Sequence, residues 1–237
     1  MSPFAGTRAV TFDCWGTLIY EPDAVRGREV RVTALCGMTG LPPDTVAELL
    51  QTGWQAHHDA WTAERQHGAP GIAAHIAAAV GAGPDVEAAM RTALEDASLS
   101  CDVVMVPDAL GTLAAIKSAG LATALICDTG FSPGRVVRQL LGRYDLTDHL
   151  DALIFSDEIG VPKPAGKMFA SALDAIGGGP AVHVGDLRRT DIAGARAAGL
   201  GSVRFRGVYD DASDHPEADI VVDRLADVLA LVGVDAA

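Results

Sequence analysis

The sequence contains few cysteines, and none are spaced as metal ligands or as a disulfide framework. The four thiols of this 237-residue chain are scattered, with no Cys-x-x-Cys motif. This distribution excludes a zinc knuckle and a disulfide-rich scaffold, and it indicates the reduced thiols of a cytoplasmic protein. The cysteines are Cys14, Cys36, Cys101 and Cys127.

Basic residues are also scarce, and long apolar runs are missing. The chain has 18 Lys and Arg against 31 Asp and Glu, a net charge of −13, which excludes nucleic acid or an anionic membrane as the expected partner. No uncharged apolar stretch approaches the ~20 residues that span a bilayer, and the N-terminal segment lacks the basic and apolar regions of a signal peptide. We therefore expect a cytoplasmic protein that acts on a small molecule. That molecule can be acidic, because a local group of Arg and Lys can oppose the negative charge of the whole chain.

Apolar residues, in contrast, are abundant and are grouped in short runs. Hydrophobic residues make up 49% of the chain, which is enough for a buried core. Six runs are continuous rather than alternating, as is typical of parallel strands buried on both faces, and helical patterns separate most of them. The runs are 8–12, 121–127, 151–155, 180–184, 201–205 and 218–222, and the helical patterns are 107–120, 134–144, 166–178 and 190–199. This alternation predicts an α/β fold with a doubly wound parallel sheet.

Residues 21–100 differ from the rest, because no strand is predicted there. Gly/Pro breaks divide the region into about four helices, with Asp44 and Asp85 as expected N-caps. The breaks are at 40–44, 67–71 and 81–85. We predict a core domain of residues 1–20 and 101–237, with 21–100 inserted over the carboxyl edge of the sheet as a helical cap.

Polar residues follow four of the predicted strands: Asp13, then 127–130, then Lys163, then Asp186 with Asp191. Carboxyl ends of parallel strands converge at one edge of a sheet, where ligands bind. Crowded carboxylates repel one another unless a divalent cation joins them, and hard oxygen ligands suit Mg²⁺. An ionised Asp beside Mg²⁺ and a lysine can attack phosphorus and form an aspartyl-phosphate. Backbone amides in the turn after Asp13 and small hydroxyls near the second strand would then cradle the phosphoryl oxygens.

This ordered set resembles the motifs of the haloacid-dehalogenase-like hydrolase superfamily, in the branch with a helical cap inserted after the first motif. The resemblance covers essentially the whole chain. Asp13 and Thr17 match the first Asp and the Thr of the family's Asp-x-Asp-x-Thr motif. Cys127 occupies the position of the second motif's Ser or Thr, with Asp128 in the usual Asn position.

The third and fourth motifs of the family are matched as well. Lys163 lies in the frequent Gly-x-x-Lys-Pro context, and Gly185-Asp186 is followed five residues later by Asp191. The resemblance implies a Rossmann-like core, an inserted α-helical cap and an Mg²⁺-dependent phosphatase of a small phosphorylated metabolite. The implied metal ligands are Asp13, the Trp15 carbonyl, and Asp186 or Asp191.

The resemblance also implies roles for individual residues. Asp13 would be the nucleophile, and Lys163 would steady the transferred phosphoryl group together with the second motif. Because a thiol donates a hydrogen bond more weakly than a hydroxyl, Thr129 is a candidate to assist Cys127. The catalytic candidates are Asp13, Lys163, Cys127, Thr129 and Asp186, and the substrate-binding candidates are Trp15, Gly16, Thr17, Asp128, Gly130, His57 and His58.

Trp15 stands where the family's phosphatases have a second Asp, which protonates the leaving alcohol and later activates water. Since the metal ligand at that position is a backbone carbonyl, Mg²⁺ binding is expected to persist. Acid–base assistance is worth ~10²–10⁴-fold, so slow hydrolysis of alkyl phosphates is expected. A replacement acid is sought in His57 or His58, because histidine titrates near neutral pH.

Two alternatives stay open. The family's 2-haloacid dehalogenases, which are metal-independent and form an Asp ester, also lack the second Asp and commonly carry an aromatic residue there, like Trp15. Against this, the chain keeps Asp186 and Asp191, and it offers Gln55 where the dehalogenases use a cap arginine. The other alternative is a weakly active or non-catalytic binding protein that kept the site.

Overall fold

The computed structural model describes residues 4–235, which form two compact units. The core unit contains the described residues up to Tyr20, then Met105–Asp128, then the chain from Leu141 onward. The helical unit contains Glu21–Val104 and Thr129–Leu140. Within the described residues, every helix is too short or too polar to cross a lipid bilayer.

Eight strands are present in the described residues. They are β1 (Ala9–Phe12), β2 (Ile19–Tyr20), β3 (Val104–Met105), β4 (Ala122–Cys127), β5 (Ala152–Phe155), β6 (Ala181–Gly185), β7 (Gly201–Phe205) and β8 (Ile220–Val222). Six of them form one sheet in the order β5-β4-β1-β6-β7-β8, and β2 pairs with β3. All neighbours in the large sheet are parallel. The predicted doubly wound α/β fold is confirmed, and all six predicted strands form.

The order of the strands fixes the place of a site. From β1 the chain builds one side of the sheet with β4 and β5, and the other side with β6, β7 and β8. The order therefore reverses at β1, and in open α/β sheets ligands bind at the carboxyl ends of the strands beside such a reversal. Strand β1 is fully buried and carries an apolar AVTF sequence, so it runs through the middle of the sheet.

The helices follow the predicted patterns with small differences. They are α1 (Ala24–Thr39), α2 (Pro43–Thr62), α3 (Gly68–Val80), α4 (Pro84–Ala97), α5 (Ala109–Ser118), α6 (Gly134–Gly142), α7 (Ser156–Ile159), α8 (Gly166–Ala175), α9 (Ala193–Ala197) and α10 (Asp227–Leu231). The helix predicted over 190–199 is instead a π-helical turn, Arg188–Ile192, followed by α9. The amide of Ile192 reaches back five residues to the Leu187 carbonyl at 3.3 Å, which widens this turn.

The helical unit consists of α1 to α4 and the segment Thr129–Leu140. The expectation that Asp44 and Asp85 cap α2 and α4 was wrong. Each helix begins at the preceding proline, so both carboxylates lie in the first turn, where they still face the positive end of the helix dipole.

The segment Thr129–Leu140 lies outside the predicted 21–100 insertion. Its Phe131 ring stacks on Trp54 with centroids 4.6 Å apart, and the Arg31 guanidinium lies 4.5 Å from the same ring. The hydroxyls of Ser132 and Ser98 are 2.7 Å apart. These contacts explain why the segment clusters with the helices, although its sequence directly follows a core strand.

Candidate active site

Lys163 lies at the centre of the polar cluster in the core unit and is 1% exposed. Its ammonium donates to Asp13 Oδ1 at 2.5 Å, to Asp191 Oδ1 at 2.7 Å and to the Ile126 carbonyl at 2.9 Å. These three acceptors use all three protons of the ammonium. The lysine is therefore held in one orientation beside the carboxylate at the end of β1.

Three buried carboxylates surround this single lysine. Oxygen atoms of Asp13, Asp186 and Asp191 all lie within 4.8 Å of one another. Burial raises the pKa of Asp13 to about 7, with the charge of Lys163 opposing this and that of Asp191 adding to it. Burial and the charges of Asp13 and Asp191 raise the pKa of Asp186 well above its usual value. Ionising all three carboxylates would give the cluster more negative charge than its single lysine neutralises, so in the absence of a cation the neutral forms of Asp13 and Asp186 are favoured.

The two carboxylates of the fourth motif differ in their surroundings. Asp191 Oδ2 accepts from the Leu187 amide at 2.9 Å, and its Oδ1 faces both Lys163 and the imidazole of His183. Burial alone would raise the pKa of Asp191, but Lys163 and His183 outweigh it and hold that pKa below its usual value. Within residues 4–235, no other residue donates a hydrogen bond to the side chain of Asp186, so its oxygens are the least satisfied of the group and could accept a cation.

The turn after Asp13 approaches Asp186 closely. Gly16 has a φ of +82°, and a Cβ placed on it would lie 2.6 Å from Asp186 Oδ2. A side chain at this position would therefore both strain the turn and close the gap to the carboxylate. Thr17 is fully buried, and its hydroxyl has no hydrogen-bond partner among the described residues. Trp15 is half-buried, and its backbone pairs with Ile19.

The second motif places a thiol and a carboxylate at the end of β4. Cys127 is fully buried and donates to the Asp128 carbonyl at 3.4 Å. Burial raises the pKa of this thiol well above its usual value, with Cys14 contributing, so Cys127 stays protonated. Asp128 Oδ1 accepts from the backbone amide of Lys163 at 2.8 Å. The unusual Asp in this motif thereby fixes the loop that carries the lysine.

The remaining predicted residues belong to the helical unit. Thr129 accepts a hydrogen bond on its hydroxyl from Gln66 Nε2 at 3.2 Å. A Cβ on Gly130 would lie 3.3 Å from His57 Nε2, so these two predicted residues are neighbours. His58 is exposed, with its ring centroid 5.7 Å from that of Trp61, and it is not part of this group.

His57 is held in a form unsuited to acid catalysis. Its Nδ1 accepts from the amide of Gly68 at 3.2 Å, so in the neutral ring the proton is on Nε2. Burial, followed by the charges of His67 and His58, lowers the pKa of His57 to about 4. The imidazole is therefore a neutral hydrogen-bond donor near pH 7, which argues against our hypothesis that it replaces the missing acid.

Sequence reasoning overlooked a residue pair behind the carboxylates. His183 and Thr11 are fully buried polar residues in otherwise apolar strands, and they are register partners of β6 and β1. Arg188, in the loop of the fourth motif, is held by the core unit itself. It donates to Glu217 Oε2 and to the Ser213 carbonyl, both at 2.8 Å.

Comparison with known proteins agrees with this geometry. The family model described as haloacid dehalogenase-like hydrolase matches residues 7–199. A ribulose-1,5-bisphosphate 5-phosphatase of Halopiger xanaduensis is 35% identical over 127 residues, which are 53% of this chain and 50% of that protein. The chain thus spans about half the length of the first curated relatives it matches.

Solved structures match over nearly the whole chain but at low identity. An HAD phosphatase from Thermococcus onnurineus has a TM-score of 0.70 at 20% identity, covering 98% of this chain and 100% of that chain. A 2-haloacid dehalogenase from Pseudomonas syringae also has a TM-score of 0.70 at 20% identity, covering 95% and 97%. These likenesses concern the fold, whereas the family model covers all four motifs. The chain belongs to the haloacid dehalogenase-like hydrolase family.

Proposed function

We propose that this protein is an Mg²⁺-dependent phosphoryl hydrolase of a small cytoplasmic metabolite, acting through a phosphorylated Asp13. The observation that carries the proposal is the buried group of three carboxylates around one lysine. With all three carboxylates ionised and no cation bound, this group would have a net negative charge and would repel a phosphate ester. A divalent cation removes that repulsion, and carboxylate oxygens are the ligands that Mg²⁺ prefers.

The residues present fit such a cation. We infer that Asp13, Asp186 and the Trp15 carbonyl would hold it, because the oxygens of Asp191 already face three donors. The chemistry supplied by bound Mg²⁺ is neutralisation of the carboxylates and polarisation of a phosphoryl oxygen. Asp191 would act by holding Lys163 in place.

The chain's own residues then divide the reaction into two steps. A carboxylate oxygen of Asp13 attacks phosphorus, the bond from phosphorus to the leaving oxygen breaks, and that oxygen departs with the electron pair. Lys163 and the turn at Gly16 and Thr17 would face the negative charge on the transferred group. Water then attacks the acyl phosphate, which releases inorganic phosphate and regenerates Asp13.

Trp15 restricts the leaving group. Its indole carries only a weakly acidic N–H donor, so it cannot protonate a departing alkoxide. We therefore favour substrates whose leaving group is stable without that proton, such as acyl phosphates or aryl phosphates. Relatives named as phosphatases of small phosphorylated metabolites support the broader substrate class.

A second candidate function is hydrolysis of 2-halo acids, and Trp15 is the observation that favours it. A halide leaves without a proton, so the aromatic residue would cost nothing in that reaction. The position of the family's cap arginine offers Gln55, whose amide donates to Asp59 at 2.8 Å. The intact carboxylate group makes us rank this function second.

A parallel assay separates the two functions. We expect Mg²⁺ to support hydrolysis of acetyl phosphate, EDTA to abolish it, and excess Mg²⁺ to restore it. Asp186→Asn should raise the Mg²⁺ concentration needed for half-maximal rate, whereas Asp174→Asn, at an exposed position of α8, should not. Chloride release from 2-chloropropionate that persists in EDTA would instead establish the dehalogenase function.

The effect of having Trp15 in place of the family's second Asp is tested by introducing a carboxylate at this position. Trp15→Asp should raise the rate on alkyl phosphates by about 10²-fold or more, since acid–base assistance is worth ~10²–10⁴-fold. Trp15→Asn introduces a side chain of the same size as Asp but without an acidic proton, and it should show no such gain. Equal gains in both variants would mean that the indole acts by blocking access rather than by replacing an acid.

A further inference from the structure

A buried imidazole lies directly behind the fourth-motif carboxylate. His183 is in β6, two residues before Gly185, and it is 0% exposed. Its Nδ1 is 2.8 Å from the hydroxyl of Thr11 in the neighbouring strand, and its Nε2 is 3.3 Å from Asp191 Oδ1. The ring of Phe169 meets it edge-on, with centroids 5.1 Å apart. Both nitrogens therefore face fixed polar partners.

These partners select one tautomer. Asp191 is a carboxylate and can only accept, so a neutral His183 must carry its proton on Nε2. Its Nδ1 is then an acceptor, and the Thr11 hydroxyl, which has a proton to give, is the donor that fits it. The opposite tautomer would point a lone pair of Nε2 at a carboxylate oxygen in a buried site, which is unfavourable.

The arrangement continues to the nucleophile. Asp191 Oδ1 accepts a hydrogen bond from His183 on one side and from Lys163 on the other, and Lys163 also donates to Asp13. Resting on the proposed function, we propose that His183, held by Thr11, is a positioning residue that orients Asp191 and through it Lys163. Among the described residues its hydrogen-bond partners are Thr11 and Asp191, so its effect on Asp13 passes through Asp191 and Lys163.

The alternative is that His183 has only a packing role in the sheet. A leucine or valine would fill a fully buried strand position without the cost of desolvating two ring nitrogens. The 3.3 Å contact with Asp191 is longer than the 2.7 Å contact made by Lys163. The role that this geometry supports is orientation of the carboxylate, with most of its charge balanced by the lysine.

The tautomer of His183 can be measured by NMR, and this measurement does not depend on enzyme activity. In the metal-free, uniformly ¹⁵N-labelled full chain, NMR of the His183 ring should show a protonated Nε2 and an unprotonated Nδ1. In Thr11→Val, which keeps the shape of the side chain but removes its proton donor, the Nδ1 resonance should move. A protonated Nδ1 in the wild type would overturn the proposal, whether or not the protein is a phosphatase.

Two variants of similar chemistry test the positioning role. The amide nitrogen of His183→Gln lies the same number of bonds from the backbone as Nε2, so it keeps the donor to Asp191. His183→Asn keeps only an acceptor for Thr11. With acetyl phosphate and saturating Mg²⁺, we expect His183→Asn to lower kcat about 10–100-fold with little change in KM, and His183→Gln to recover most of that loss.

Equal kinetics of the two variants would overturn the proposal, as would a loss confined to KM. Because each variant could also loosen the fold, their free energies of unfolding are compared by urea denaturation. A kcat loss that merely followed stability would also refute a positioning role. Absence of activity in the wild type would contradict the proposed function, and the NMR result would then decide the tautomer alone.

Discussion

Burial and a backbone hydrogen bond keep His57 neutral. His57 is 7% exposed, and its Nδ1 is occupied by the Gly68 amide. Protonating the ring would cost that hydrogen bond and would place a charge in a desolvated position. The same reasoning that removes His57 as a general acid makes it a group whose protonation opposes folding.

This predicts a specific dependence of stability on pH. The pKa of His57 is lowered from 6.5 to about 4 in the folded chain, so between these values the unfolded chain binds more protons. The contribution of the neutral His57 imidazole to the free energy of unfolding is fully present above pH 6.5. It is lost as the pH falls towards 4, and the loss amounts to about 3 kcal/mol over the whole window. Urea denaturation of wild type and His57→Gln at pH 7.5 and 4.5, followed by tryptophan fluorescence, measures it.

The difference between the two pH values should be smaller in His57→Gln than in the wild type. His215→Gln, at an exposed position of the core unit, serves as the control and should leave the difference unchanged. An identical pH dependence in wild type and His57→Gln would show that the imidazole is not desolvated as the structure has it.

At the scale of elements, glycine sets how closely two helices of the core unit pack. Gly194 in α9 lies against Phe169 in α8, and a Cβ on Gly194 would be 2.2 Å from the ring atom Cε2. Gly194→Ala should therefore lower the free energy of unfolding by about 1–3 kcal/mol, the usual cost of overpacking. Urea denaturation measures the change.

Gly111 in α5 provides the opposite case, because nothing lies within 4 Å of a Cβ there. Gly111→Ala should raise stability by up to about 1 kcal/mol, since alanine favours the helix more than glycine does. Loss of stability in Gly111→Ala equal to that in Gly194→Ala would mean that both reflect something other than the contact with Phe169.

The elements also show what can be predicted from this sequence. Parallel strands buried on both faces are continuous apolar runs, so all six were identifiable. The turn Arg188–Ile192 was not, because its π-helical start depends on the backbone of Leu187 and on the Asp191 side chain reaching back to it. Helix starts were displaced by one or two residues, because Pro43 and Pro84 take the first helical positions.

Site residues were predictable to the extent that they lie in motifs. Asp13, Lys163, Asp186 and Asp191 come together, as expected of strand ends at one sheet edge. His183 and Thr11 were missed, because only the register between β1 and β6 places them opposite each other. The signal available in the sequence was a single polar residue inside each apolar run.

On the scale of the whole molecule, the fold leaves the reaction undecided. A solved phosphatase and a solved dehalogenase match the chain to the same degree, so function must be argued from the site. The chain folds as two units, each with its own apolar cluster. We propose that the helical unit is the inserted cap, with Thr129–Leu140 added to the predicted range.

The central claim is that Asp13 becomes phosphorylated. The most direct test is rapid acid quenching of the full-length enzyme with acetyl phosphate and Mg²⁺, followed by mass spectrometry of its peptides. We predict one phosphoryl group on the peptide that contains Asp13, removable by hydroxylamine and missing in EDTA and in Asp13→Asn. Substrate turnover without any phosphorylated peptide, or phosphorylation that persists in Asp13→Asn, would contradict the account.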